Sequence, residues 1–362
     1  MTKEKFKKAI DVIGLPRLIV FLFFIAIVLT AYFNGIDVKS YLSSTFKYWG
    51  MWAILVLAMV PTIKCGIGPN YGVSLGIVSG LLGTLLAIEF NITGVVNAVM
   101  PGFGPWAALL FALVASALVA WPVGIGYGKL LNMVKGSEMT VTTYIGYSVI
   151  FLMCIVWFRA PFRNGEITWP LGGTGVRNNV SLESSFAYLL NNAWGFEIGG
   201  IYIPTGLILF CLLISFVVYL YFRSKTGMAI TAVGSNPTFA RASGIDVDKM
   251  RIKGIVLSTI LGALGIVVYT QGFGYLQAYG APLSMGFLCV ASVLIGGATM
   301  NKATIMNVII GTFLYQGLII FTPPVSNKLL AGTDISDTMR QIIQNGVILW
   351  ALVKTKGGSS NE

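Results

Sequence analysis

Two sets of residues in this chain have the types and spacing to do chemistry, and in both the chemistry is recognition. The first is Ser235 to Ile245, SNPTFARASGI, a run with its own helix start and stop. Asn236 can accept a free backbone N–H as N-cap, Pro237 fits the first helical position, and Gly244 supplies the left-handed residue that ends the helix. The helix predicted over Pro237 to Ser243 would span roughly 10 Å. A short capped helix between two long apolar segments is a docking element. The second set is Asn70, Tyr71 and Ser74, then Gln271, Tyr275, Gln277 and Tyr279, then Tyr315 and Gln316. Amides, hydroxyls and aromatic faces without charge suit a neutral polyhydroxylated solute better than an amino acid, whose charges would want partners. Helix-to-helix bonding or an interfacial aromatic belt is the alternative use of each residue.

Other chemistries are excluded by what is missing. Without histidine, imidazole acid/base work, histidine–zinc sites and serine–histidine triads are ruled out. The four cysteines, Cys65, Cys154, Cys211 and Cys289, show no C-x-x-C spacing and are expected to be small core residues. Gly124 to Lys129, GIGYGK, falls short of a phosphate loop, which needs glycine at Val123 and Ser or Thr at Leu130, so no nucleotide site is expected and no metal site either. None of the 13 acidic residues falls at the middle of an apolar run, which disfavours proton or sodium coupling through carboxylates.

These residues must be positioned by membrane helices. The chain is 56% hydrophobic and 10% charged, with mean hydropathy +0.82, far from the soluble range. Its apolar runs are too long and continuous for barrel strands, so an all-α integral membrane protein is expected, a single transmembrane domain over 1–362. About ten spans are predicted: Arg17 to Phe33, Lys47 to Lys64, Asn70 to Phe90, Pro105 to Trp121, Val141 to Arg159, Pro204 to Phe222, Gly254 to Thr270, Leu283 to Met300, Ala303 to Phe321 and Thr338 to Lys354. The third and eighth are Gly-rich and polar at one end, which predicts broken or re-entrant helices. The charged start MTKEKFKKAI lacks a following small-x-small cleavage site, so the first span is expected to be retained. With both termini cytoplasmic, all lysines and arginines lie inside except seven: Lys39, Lys47, Arg159, Arg163, Arg177, Lys328 and Arg340. That bias explains the net charge of +11 without nucleic acid.

A family resemblance enters at the polar island. Gly227 to Arg251, GMAITAVGSNPTFARASGIDVDKMR, resembles the cytoplasmic coupling segment of permease subunits of bacterial ABC importers of the ribose, galactose and nucleoside type. Ala232 to Asn236 and Ala240 to Val247 match best. Ala291 to Gly297, ASVLIGG, with Gly311 and Gly317 in the next helix, is similar to the family's glycine-bearing stretch. The resemblance implies a multi-pass protein of the bacterial inner membrane whose segment 224–252 sits in a cleft of an ABC ATPase subunit. ATP and magnesium would be used by that partner and no cofactor bound by this chain. In that setting Phe239 would fill an apolar pocket and Arg241 pair with an acidic group, with Ser235, Asn236, Pro237 and Gly244 shaping the ends. Were the segment merely a structured loop, Arg241 would serve as an inside positive charge.

The family's sugar permeases often open the third helix with a G-G-I-D-L-S-x-G-like run. Here Gly66 to Gly76 reads GIGPNYGVSLG: the aspartate is absent, Asn70 and Tyr71 stand nearby, and Ser74 and Gly76 remain comparable. This departure bears on a ribose cargo and leaves the architecture untouched. Further partners implied are a second permease subunit, the same or related, and an extracytoplasmic substrate-binding protein landing on the loop 160–203. That loop could equally plug the outer mouth. The expectation is an ATP-driven importer's permease for a small neutral solute, foremost a sugar. A nucleoside or other small solute and a stand-alone secondary carrier stay open.

Overall fold

The computed structural model describes residues 15–169, 174–329, 338–342 and 345–346. It is mostly helical: α1 (Leu15–Phe33), α2 (Val38–Leu57), α3 (Met59–Lys64), a single 3-10 turn (Tyr71–Val73), α4 (Ser74–Glu89), α5 (Ile92–Val99), α6 (Gly104–Met133) and α7 (Glu138–Arg159). There follow β1 (Asn179–Ser181), α8 (Leu189–Asn192), the hairpin β2 (Phe196–Ile198) and β3 (Ile201–Ile203), α9 (Thr205–Arg223), α10 (Lys225–Ser235) and α11 (Pro237–Ala242). The chain continues with α12 (Val247–Phe273), β4 (Tyr275–Gln277), α13 (Ala281–Ile295) and α14 (Ile305–Leu329). The strands form two small antiparallel pairs, β1 with β4 and β2 with β3.

Seven helices among the described residues are long and apolar enough to cross a membrane: Val38–Lys64, Tyr71–Glu89, Gly104–Met133, Glu138–Arg159, Thr205–Arg223, Val247–Phe273 and Ile305–Leu329. Two shorter apolar helices, Arg17–Phe33 and Met285–Ile295, fall at the first and eighth expected spans. Most of the tenth expected span, Thr338 to Lys354, lies outside the described residues, as does the charged start at 1–14. The third span is broken as expected. Its helix starts only at Tyr71, after glycines at φ +79° (Gly66) and +93° (Gly68), and Gly72 is non-helical within the 3-10 turn. The eighth is short: fifteen residues reach about 22 Å against roughly 30 Å of hydrocarbon.

Several boundaries differ from the sequence expectation. The fourth span runs on past Trp121 to Met133, straight through Pro122. Proline removes one backbone donor, and here it sits on an exposed face of the helix. The seventh starts at Val247 rather than Gly254, because Asp246 caps it by accepting the Lys249 N–H at 3.0 Å.

Helix α12 is the centre of the bundle, packed against α2, α4 and α6, and small residues let backbones approach. A Cβ on Gly76 would lie 3.1 Å from Gly262 Cα, one on Gly124 2.9 Å from Val256 Cα, and one on Gly265 2.9 Å from Leu55 Cα. By contrast α7 and α9 have only 28% of their apolar windows buried, and Phe151, Ile155, Leu213 and Phe216 face outward as a lipid-facing surface does. At one end of the bundle, polar groups lace three helices. Arg251, only 8% exposed, pairs with Glu138 and donates from Nε to Asn132 Oδ1 at 3.1 Å, while Lys135 pairs with Asp248.

Two outcomes follow from this packing. Gly76→Leu should lower stability by about 1–3 kcal/mol through overpacking, whereas Gly126→Leu, with open space at its Cβ, should leave thermal unfolding in detergent unchanged. Arg251→Ala strands Glu138 and should cost about 3 kcal/mol, more than Lys135→Ala at its exposed pair, as measured by the same unfolding assay.

Candidate functional site

The short helix α11 is built as its sequence dictates. Asn236 Oδ1 accepts the Phe239 N–H at 2.9 Å, Pro237 occupies the first turn, and Gly244 sits at φ +79° just past the helix, its N–H reaching Arg241 O at 3.0 Å. The Ile245 N–H closes back on Ala240 O at 3.0 Å, so the last carbonyls are satisfied. Ala240 is fully buried and shares a small separate core with Val233 and Val247. The opposite face is presented outward: Phe239 is 67% exposed, and Pro237 and Arg241 are exposed beside it. Ser235 is exposed too, but its hydroxyl is taken by Thr231 O at 2.9 Å. Asp246 ends the segment. Its carboxyl is held below the usual carboxylate range by the Lys249 N–H and then by the Lys249 ammonium. This cap is therefore intact at neutral pH and is lost only as pH falls through that lowered value.

Helix α10 begins close against the end of α9 at Gly227, where a side chain would collide with Tyr221 O and Phe222. It then runs directly onto the break between α3 and α4. A Cβ on Gly234 would lie 2.8 Å from Gly66 N and collide with Lys64 O, and one on Gly66 would lie 3.0 Å from Gly234 Cα. On the other side of the break, a Cβ on Gly254 would lie 2.9 Å from Cys65 Cβ. The turn at Cys65 and Gly66 is thus wedged between α10 and α12. Four residues further along the chain stands Asn70.

The proposed path residues occupy four separate settings. Asn70 is 1% exposed and fully engaged: its Oδ1 accepts from Tyr127 Oη at 2.8 Å, and its Nδ2 donates to Ser258 Oγ at 3.0 Å, which donates to Ala58 O at 2.6 Å. It ties helices together, the alternative use noted from sequence. Tyr71 and Ser74 instead line a cavity of about 10 Å³ with Thr143, Tyr147, Gly286 and Phe287, room for about one water molecule. The Tyr71 and Phe287 rings stand 5.2 Å apart, and Ser74 Oγ donates to Pro282 O at 3.4 Å.

Gln271, Tyr275 and Gln277 lie at the opposite end of α12, under the long loop. Gln271 is fully buried and accepts the Leu190 N–H at 3.1 Å, while Tyr275 and Gln277 pair in register with Ser181 and Asn179. Tyr279 Oη donates to Val176 O at 3.0 Å. Tyr315 and Gln316 are buried in α14, where the Tyr315 hydroxyl and Thr312 Oγ1 have no hydrogen-bond partner among the described residues. The loop itself is folded into the bundle. Glu89 accepts the N–H groups of Arg163 and Asn164 at 3.0 Å each, and Val176, Val180, Leu182 and Phe186 are buried in the main core.

Sequence reasoning missed Tyr127, Ser258, Phe287 and the Glu138–Arg251 pair. Tyr127 carried a signal, since Gly124, Gly126 and Gly128 around it mark close helix approach. The others become visible only when distant helices meet.

Comparison with known proteins agrees with this architecture. A family model described as branched-chain amino acid transport system / permease component matches residues 41–352. The D-allose transport system permease protein of Escherichia coli is 25% identical, covering 91% of this chain and 89% of its own length. The ribose import permease protein of Haemophilus influenzae is 24% identical over 71% of this chain and 74% of its own. A nucleoside ABC transporter permease protein of Lactococcus lactis is 25% identical over 48% of this chain and 49% of its own. No solved structure matches the chain. Seven membrane-length helices among the described residues and relatives of this kind make it a multi-pass inner-membrane protein. With a match spanning six-sevenths of its length, the chain belongs to the branched-chain amino acid transport system permease family, whose members are transport components and not enzymes.

Proposed function

We propose that the chain forms the translocation path of an ATP-driven importer for a small neutral solute, foremost a sugar, with α11 docking a separate ABC ATPase that uses ATP and magnesium. The observation that carries this is the combination of an outward Phe239 and Arg241 on a capped helix with the Gly234 and Gly66 contact behind it. An exposed aromatic and a cation on a rigid six-residue helix suit a cleft with an apolar floor and an acidic wall. Motion of that helix would pass through α10 to the break at Gly66, where Gly234 meets it with no side chain between. The Tyr71, Tyr147 and Phe287 cluster is the part of the path we assign to solute, opened when the break shifts. A second permease subunit and a binding protein over the folded loop 160–203 complete the proposed assembly. We also assign ten spans with both termini cytoplasmic, on the distribution of lysine and arginine.

A nucleoside is the second reading, favoured by the aromatic cluster, whose rings could stack on a base: Tyr147 stands 6.3 Å from Phe287. The relative named for nucleosides supports it. A stand-alone secondary carrier is the least favoured, since no carboxylate lies at mid-span.

Arg241→Glu and Gly244→Val should insert normally yet weaken association with the ATPase by about tenfold or more, the loss of one interface anchor. Unchanged association in both, measured by co-purification and ATPase stimulation, would contradict docking through α11. Gly234→Val should separate binding from drive: the ATPase still co-purifies while its stimulation and coupled uptake fall.

A further inference from the structure

Along the outer side of α12, Lys249, Ile252, Lys253, Val256, Leu257 and Ile260 fall on one helical stripe and floor a groove of about 590 Å³. Trp121 and Ile125 of α6 form one wall, and Tyr221 of α9 with Thr226 of α10 the other. The floor spans twelve residues, Lys249 to Ile260, about 16 Å, which is close to half of a hydrocarbon layer of roughly 30 Å. Its polarity is graded. Both lysines stand at the end that carries the coupling segment, and Ile252, Val256, Leu257 and Ile260 lead inward from them. Tyr221 is half-buried near the end of α9 that leads to the coupling segment, a residue type found where chain meets headgroup, while Trp121, 58% exposed, stands nearly a turn before Gly124, which packs on Val256 and Thr259, and so beside the inner end of the groove.

We infer that this groove holds an anionic phospholipid of the leaflet on the coupling-segment side, with one acyl chain along the apolar floor and its phosphate at Lys249 and Lys253. The depth argues for a lipid, since the groove spans one leaflet and stops. The charge argues for an anionic one. Lys253 makes no hydrogen bond or ion pair among the described residues, and Lys249 meets only Asp246, at 3.1 Å in an exposed pair of little worth. The Asp246 carboxylate is itself occupied by the Lys249 N–H, and Asp248 is paired with Lys135, so the lysine end keeps a positive balance. Two lysines at a membrane surface are enough to favour anionic over zwitterionic headgroups. The site is independent of which solute is carried, and it borders the docking segment, since Thr226, Lys249 and Ile252 lie within 224–252.

Trp121 provides the test. The full-length chain is reconstituted with a small fraction of brominated phosphatidylglycerol or brominated phosphatidylcholine, and the Trp121 signal is taken as the difference from Trp121→Phe. The expected result is stronger quenching by the anionic lipid, with a relative association constant about tenfold higher, falling to parity in Lys249→Ala/Lys253→Ala. Equal quenching by both lipids in the unmodified chain would overturn the proposal. So would a preference that survives loss of both lysines. Shielding of Trp121 from both lipids would also overturn it and assign the groove to a second copy of the chain. Failure of ATPase docking would show in co-purification and leave these signals untouched.

Discussion

At Gly66 and Gly234 two backbones meet with no side chain between them, and the use made of the rest of the bundle depends on that contact. The polar segment and an interrupted apolar span are joined there by groups that cannot rotate out of the way. Helix α12 closes the other side through Gly254 and Cys65, so the turn has nowhere to yield. Lipid cannot satisfy the open backbone of such a break, and it survives only because protein surrounds it. The Asn70, Tyr127 and Ser258 bonds supply part of that surround.

The same logic explains why the bundle centres on α12. Glycines at 76, 80, 124, 128 and 265 let α4, α6 and α2 approach its backbone, and packing at that distance supplies the association energy that the hydrophobic effect cannot supply in lipid. Its first turns are held by Arg251 to Glu138 and Asn132, at the end where the polar segment enters. A rigid α12 thus gives α10 and α11 a fixed base to move against.

Local features were legible in the sequence and distant ones were not. The caps at Asn236 and Gly244 were readable because each rests on residues within four positions. The break before Tyr71 was readable from its glycines. The end of α6 was misplaced at Trp121 because proline stops a helix in water more surely than on a lipid-facing side. Asn70 and Gln271 stood out as polar residues in apolar runs. Only the folded chain shows that both are engaged in bonds between elements, while Tyr71 and Ser74 face a cavity. Composition marks a polar side chain but does not choose its partner. Cargo stays the least legible property, since relatives named for D-allose, ribose and nucleosides share this architecture.

What distinguishes a driven permease from a self-sufficient carrier is whether solute crosses without the ATPase. Vesicles containing the chain, with and without its ATPase, and supplied with binding protein and its solute, decide this. Accumulation only when the ATPase and ATP are both present is the predicted result. Solute uptake at the same rate by vesicles lacking the ATPase would contradict it.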